Sequence, residues 1–494
     1  VGNIEELETV HSLQSTVHIP MLRCFCLAKA GAERNLLRMI LHTIRRAFLL
    51  GVSLIMLSSS GYALGPHEVL VLANGREADS IEVAKTYARQ RQIPEVNIVV
   101  LDLPAVNPQA PPAMRPSDFT RLIWSPATQA AKARGIDDHI LVWVYSTHFP
   151  IRTTSQPPIS LQGLTFMRNH MPLAKEIAEG SYVSPLFSGP DAPGANGYGP
   201  QTFDVSRQML REDMPLPNMT LGYTGPRGNT KAEVLFCLST GLRSDGTHPD
   251  GTVYFVTSED VRSRCRQWQF PSSAVGLKRA GIRASISKAF PVGKEDVIGI
   301  MMGSAVVEPS KVGRFLPGCM AEHLTSLAAM FDHNGQTKLS RWIAQGVTAS
   351  AGAVCEPMSI WEKFPSPRFF NHYTAGCSVI ESFYQSIRCP LQIMLVGDPL
   401  ATPWAPDASV SIEGLDNGEL VKTSRAIERR IRTKPGLFFN RTLYLVDERI
   451  VGKGNAFELN PAELESGTHT LRVVAFRTGF VRSQIFEVRT FRTE

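Results

Sequence analysis

A chain of 494 residues with 43% apolar and 19% charged side chains is long enough for more than one domain and needs no covalent staples to hold a core. Its formal net charge of +6, from 51 basic and 45 acidic residues, is too dilute over this length for a nucleic-acid binder. Eight cysteines without a C-x-x-C pair argue against a structural zinc site, and the sequence points to no cofactor.

Residues 1–38 show no clear period and are read as a leader that does not fold. Residues 39–63 carry Arg45-Arg46, a short apolar run over 47–57, three serines and Gly61-Tyr62-Ala63. That is the layout of an export signal, and the apolar run is too short to cross a bilayer as a helix. The expectation is an exported protein, periplasmic, envelope-bound or extracellular, with no transmembrane span in the mature chain.

From 64 to 404 the pattern is α/β. Residues 68–73 read as a buried strand turned by Asn74-Gly75, and Ser80 as the cap of an amphipathic helix reaching Arg91. Residues 97–101 form the next strand. Ser117 opens a second helix kinked at Pro126, and 140–145 is a third strand. Continuous apolar strands alternating with helices predict a parallel sheet covered on both faces, a three-layer domain. Residues 153–228, rich in Pro and Gly, read as a long loop-like insertion, a lid or binding loop. Helices are expected over 231–242, 258–280, 321–330 and 338–345, and strands over 252–257, 282–286, 297–302 and 347–354. A polar helix start near Thr374 and Ser378 leads to the strand 393–396 and the turn Gly397-Asp398-Pro399. Residues 405–494 change texture to short strands with alternating side chains, a small β-sandwich, immunoglobulin-like in kind. The basic run Arg425, Arg429, Arg430, Arg432 and Lys434 reads as a solvated strand face.

Functional side chains in a parallel sheet collect at strand carboxyl ends. Four ends carry them: Ser146-Thr147-His148, Gly303-Ser304 with Cys319 further on, Cys355-Glu356, and Gly397-Asp398. His148 and Cys319 have the residue types of a thiol activated by imidazole, although Cys319 also fits the start of a helix. His323, His333 and His372, with Glu322 and Asp332, are candidate metal ligands. Their spacing matches no H-x-x-x-H or H-E-x-x-H pattern, and Asp332-His333-Asn334-Gly335 reads as a turn. Residues 222–228, Gly-Tyr-Thr-Gly-Pro-Arg-Gly, lack the G-x-G-x-x-G or Lys-Ser/Thr chemistry of a phosphate cradle and read as a turn as well. The six cysteines beyond the leader, Cys237, Cys265, Cys319, Cys355, Cys377 and Cys389, lie mostly in apolar stretches and are expected as free thiols.

Several blocks carry a resemblance: Phe315-Leu316-Pro317-Gly318, Glu322-His323-Leu324-Thr325, Glu356-Pro357, His372-Tyr373, Glu381-Ser382-Phe383-Tyr384 and Val396-Gly397-Asp398-Pro399. They resemble an exported bacterial family without established activity. More distantly they resemble gingipain-type cysteine peptidases, which have a caspase-like α/β fold. The resemblance implies that fold, with a histidine after one strand and a cysteine directly after another. Here His148 has no flanking glycines, and Gly303-Ser304-Ala305 stands where the nucleophile is expected. The reading is a caspase-like domain that binds or assembles at the cell envelope without peptidase chemistry. Its sandwich would meet a cell-surface protein or polysaccharide. The alternatives are a His148/Cys319 hydrolase and a metal-dependent hydrolase.

Overall fold

A computed structural model describes residues 61–104, 112–168, 170–190 and 199–494; the proposed leader, apart from residues 61–63, lies outside them. The apolar runs form β1 (Val69–Asn74), β2 (Ile98–Leu101), the short β3 (Ala113–Met114), β4 (Val142–Tyr145), the short β5 (Arg152–Thr153) and β6 (Asn218–Thr220). They continue with β7 (Thr252–Val256), β8 (Arg283–Ser287), β9 (Val297–Gly303), β10 (Phe315–Leu324), β11 (Ala349–Ala353) and β12 (Ile393–Gly397). All but β3 and β5 join one sheet in the order β2-β1-β4-β6-β12-β11-β10-β9-β7-β8. Every residue of β1, β4, β9 and β12 is buried. Because successive side chains point to opposite faces, both faces are covered, as the unbroken apolar runs require.

The sheet is not uniformly parallel, and this corrects the sequence reading. All neighbours run parallel except β11 and β12, which pair antiparallel from Ala349↔Gly397 to Ala353↔Ile393. Two parallel halves of five strands therefore point in opposite directions across that seam. The ends after β4 (His148) and β12 (Asp398) share one rim, whereas those after β9 (Ser304) and β11 (Cys355) lie on the opposite rim. Apolar alternation is the same in either strand direction, so the sequence carries no mark of the seam.

Three further expectations are corrected. Residues 321–330 do not form a helix: 315–324 is the strand β10, and Glu322 and His323 each find a buried partner on opposite faces. Residues 153–228 are no simple insertion, because they supply β6 to the middle of the sheet and the helices Leu161–Phe166, Ala174–Glu179 and Phe203–Leu210. Ser80 does not cap its helix, Ala78–Arg91, whose N-cap is Glu77; Ser80 instead ties two strand ends together. Ser378 does cap Val379–Ser386, and its N–H donates to Glu381 at 2.9 Å.

The C-terminal region is built from β13 (Ala408–Glu413), β14 (Glu419–Leu420), β15 (Arg425–Thr433), β16 (Arg441–Val446), β17 (Arg449–Lys453), β18 (Ala456–Leu459), β19 (Gly467–Arg477) and β20 (Ser483–Thr493). Sheets β13-β15-β18 and β14-β20-β19-β16-β17 enclose a core that includes Val410, Ile427, Tyr444, Leu471, Val473 and Phe491. The basic run lies along β15, where Arg430 pairs with Glu413 at 2.9 Å while Ile427 turns inward. This region locks onto the α/β domain. Tyr62 and Gln484 exchange backbone hydrogen bonds at 2.6 Å, and Arg482 pairs with buried Glu68 at 2.6 Å.

A buried ionic knot ties helices to the sheet. The Arg91 guanidinium donates to Asp398 and Asp245, and Tyr87 Oη donates to Asp398 at 3.1 Å. Asp398 also accepts from Leu400 N at 3.1 Å, so its expected turn-capping role holds and a structural ion pair is added.

Candidate functional site

The chain enters the site from the ends of β1 and β4. Asn74 N–H donates to Ser80 Oγ at 3.0 Å, and Ser80 Oγ donates to Thr147 O at 2.7 Å. Ser146 Oγ donates to Ser80 O at 2.6 Å, and Asn74 Nδ2 donates to His148 O at 2.9 Å. These bonds clamp the backbone after β4 and hold His148 in the left-handed region at φ 61°. A non-glycine residue there stores roughly 1–3 kcal/mol of strain, a cost that tends to mark working residues.

Glu77, at the start of the helix that follows β1, places Oε2 3.7 Å from His148 Nδ1. At that distance the carboxylate stands beside the imidazole without a direct hydrogen bond to it. Nε2 is buried and accepts no hydrogen bond among the described residues. The residue lines a cavity of about 700 Å³ whose walls include Met114, Arg121, Phe149, Tyr223 and Thr224. That size suits a small ligand or a short stretch of polymer. The walls are stiffened by rings: Tyr223 stacks on Phe331 at 4.1 Å, and Tyr145 meets Phe149 edge-on at 5.0 Å. Arg115 and Arg121 share Asp118 at 2.8 and 2.9 Å on the cavity rim. Burial with Asp332 nearby pushes the Tyr223 phenol up to about 12, so it acts only as a neutral hydroxyl.

The structure does not bring Cys319 to His148. Three strands, β6, β12 and β11, separate β4 from β10, roughly 19 Å at the usual strand spacing. Cys319 is fully buried within β10, and burial drives its thiol well above the ordinary range. It is an inert core thiol.

The three candidate metal histidines do not gather either. Trp342 Nε1 donates to His323 Nδ1 at 2.9 Å, so His323 carries its proton on Nε2 and donates it to Thr337 O at 3.1 Å. Neither nitrogen is left for a metal, and burial holds the ring at about 4. His372 bonds Ser188 O at 2.8 Å in a buried helix, and His333 stands exposed in a turn. Glu322 pairs with Arg266 at 2.7 Å, and Asp332 pairs with Arg152. Among the described residues no three His, Cys, Asp or Glu side chains assemble to hold a metal ion.

Glu77 and Asn74 went unnoticed in the sequence. The strand-end rule that picked out His148 applies equally to the end of β1, where Asn74-Gly75 reads only as a turn. The 222–228 segment was likewise set aside, yet it forms a cavity wall.

No protein-family model matches the chain, and no curated protein matches it. Among solved structures, fibronectin(III)-like modules of Clostridium thermocellum CbhA are 14% identical over 22% of this chain, with a TM-score of 0.16. The match takes in about half, 54%, of that structure. The endo-beta-1,4-mannanase of Thermotoga petrophila is 11% identical over 88% of this chain and 94% of that one, also at 0.16. Likenesses this slight carry no conclusion about fold or activity. No helix among the described residues is long and apolar enough to cross a membrane.

Proposed function

We propose that this is an exported, envelope-associated protein whose caspase-like α/β domain binds a ligand in the His148 cavity without cysteine-peptidase chemistry. One observation carries the reading. The strand beside β4 is β6, and it leads through Leu221-Gly222 into Tyr223-Thr224, so the cavity wall next to His148 offers a phenol and a hydroxyl where a peptidase needs a thiol. The C-terminal sheets are then an immunoglobulin-like sandwich that meets a cell-surface protein or polysaccharide. For export, the leader is expected to end before Gly61, because Gly61 N–H donates to Pro406 O at 2.9 Å and Tyr62 pairs with Gln484. N-terminal sequencing of secreted material checks that boundary.

Iodoacetamide at neutral pH tests the chemistry. Cys265, the one described cysteine that is not buried, should label first, and Cys319 should stay unlabelled until the protein unfolds. Fast labelling of Cys319 that disappears in His148→Ala would sink the reading. A peptide and glycan panel supplies the positive arm: retention by the wild type that is lost in His148→Ala supports it.

The unpartnered Nε2 of His148, with Glu77 beside the same ring, favours a second reading, in which the pair activates a water that enters the cavity for hydrolysis. Turnover that survives iodoacetamide and falls in both Glu77→Gln and His148→Ala would select it over binding alone.

A further inference from the structure

The loop of residues 222–228 has a second side. Tyr223, Thr224, Gly225 and Pro226 line the His148 cavity, and the next residues, Arg227, Gly228 and Asn229, line a separate cavity of about 420 Å³. Three cations border that second space: Arg227, Lys338 and Arg341. Its only acidic lining residue is Glu233, whose carboxylate already accepts from Thr230 N at 2.9 Å and Asn229 Nδ2 at 3.1 Å.

None of the three cations has a carboxylate partner within ion-pair range among the described residues. The Arg227 guanidinium is spent on neutral acceptors, Asn334 Oδ1 at 2.6 and 3.0 Å and Phe331 O at 2.6 Å. Lys338 is only 6% exposed, and its ammonium donates to two carbonyls, Leu327 O at 2.8 Å and Gly335 O at 3.1 Å. Asp332, whose charge acts on Lys338, is held by Arg152. Arg341 stands exposed at the mouth. The two carbonyls satisfy donors of the Lys338 ammonium but leave its charge without a counter-ion, so the cavity as a whole keeps an unbalanced positive charge that an anion would offset. The backbone adds an independent mark. Arg227 at φ 60° and Gln336 at φ 51°, both lining this cavity, hold left-handed conformations that ordinary side chains avoid.

We propose that the Arg227–Lys338–Arg341 cavity binds a tetrahedral oxyanion with two negative charges, as in phosphate. Three cations against one carboxylate leave two positive charges to balance, which matches a dianion rather than a single carboxylate. The exposed Arg341 guanidinium offers paired donors to such oxygens, while Arg227 and Lys338 add positive charge along the same wall. The site is independent of the His148 reading: it shares a loop with that cavity and no side chain.

The test measures binding to the full chain by calorimetry and thermal melting, with sodium phosphate or sulfate against sodium chloride at equal ionic strength. Phosphate should raise the melting temperature saturably beyond chloride. Arg341→Gln, an exposed position that leaves the core untouched, should weaken that binding roughly tenfold or more. His148→Ala should leave it unchanged, which separates failure of this site from failure of the other. Phenyl phosphate binding more tightly than inorganic phosphate assigns the anion to an esterified ligand; equal or weaker binding assigns it to the free ion. Equal effects of phosphate and chloride, or an Arg341→Gln protein that binds as the wild type does, overturn the proposal.

Discussion

Glu77 and His148 leave different strands, β1 and β4, and meet with the carboxylate 3.7 Å from the imidazole Nδ1. The pair exists only because β1 and β4 are parallel neighbours, in register from Val69↔Val142 to Leu72↔Tyr145, so their carboxyl ends open side by side. Four hydrogen bonds around Asn74, Ser80 and Ser146 then fix the exit of each chain.

The left-handed backbone at His148 gives a stability test separable from function. His148→Gly should be more stable than His148→Ala by about 1 kcal/mol, because only glycine adopts φ 61° without steric cost. Both variants should lose ligand binding equally. Urea denaturation measures the difference, and an alanine variant as stable as the glycine one contradicts it.

Burial raises Glu322 to about 7 even beside Arg266. Its folded value lies above its unfolded value near 4.5, so between these the folded state holds a proton that the unfolded state has released. This group therefore makes stability fall as pH rises from about 4.5 to 7. Subtracting the pH–stability curve of Glu322→Gln from that of the wild type isolates the effect. A flat difference across that window rules it out.

His323 and His372 act with the opposite sign. Burial lowers both to about 4, so each contributes stability that is complete above 6.5 and is lost as pH falls toward 4. Nitrogen NMR should show His323 neutral, with its proton on Nε2, down to about pH 4. Trp342→Phe strips Nδ1 of its donor inside the core and should cost about 1–3 kcal/mol.

Arg91 is buried between Asp398 and Asp245, and burial leaves Asp245 raised to about 6. Arg91→Met strands two carboxylates in the interior and should destabilise the protein by about 3–5 kcal/mol. Adding Asp398→Asn should recover part of that loss in a double-mutant cycle. Full additivity of the two changes would show that the three groups do not act as a unit.

Much of the α/β domain was legible because β1, β4, β7, β9 and β12 are apolar runs that only a sheet covered on both faces can use. The helix Lys231–Ser244 is legible as the run 231–242, and the structure adds Thr230 and Glu233 as its capping box. What could not be read depends on partners remote in the chain. Residues 319–324, Cys-Met-Ala-Glu-His-Leu, suit a helix locally and become strand because Arg266 and Trp342 wait on either face. The three residues of β6 are preceded by Pro215 and Pro217 and carry little strand signal of their own. His148 was found by the strand-end rule, but its carboxylate partner lies in a different βα turn. Cys319 is a candidate by its place in the chain after Gly303-Ser304, and the structure puts it inside β10, fully buried.

The union of Glu68 with Arg482 spans 414 positions. During synthesis the carboxylate emerges 414 residues before its guanidinium, so the pair can close only after the whole intervening chain has been made. Cover of Glu68 by β20 is therefore a long-range closure that no local folding step can supply.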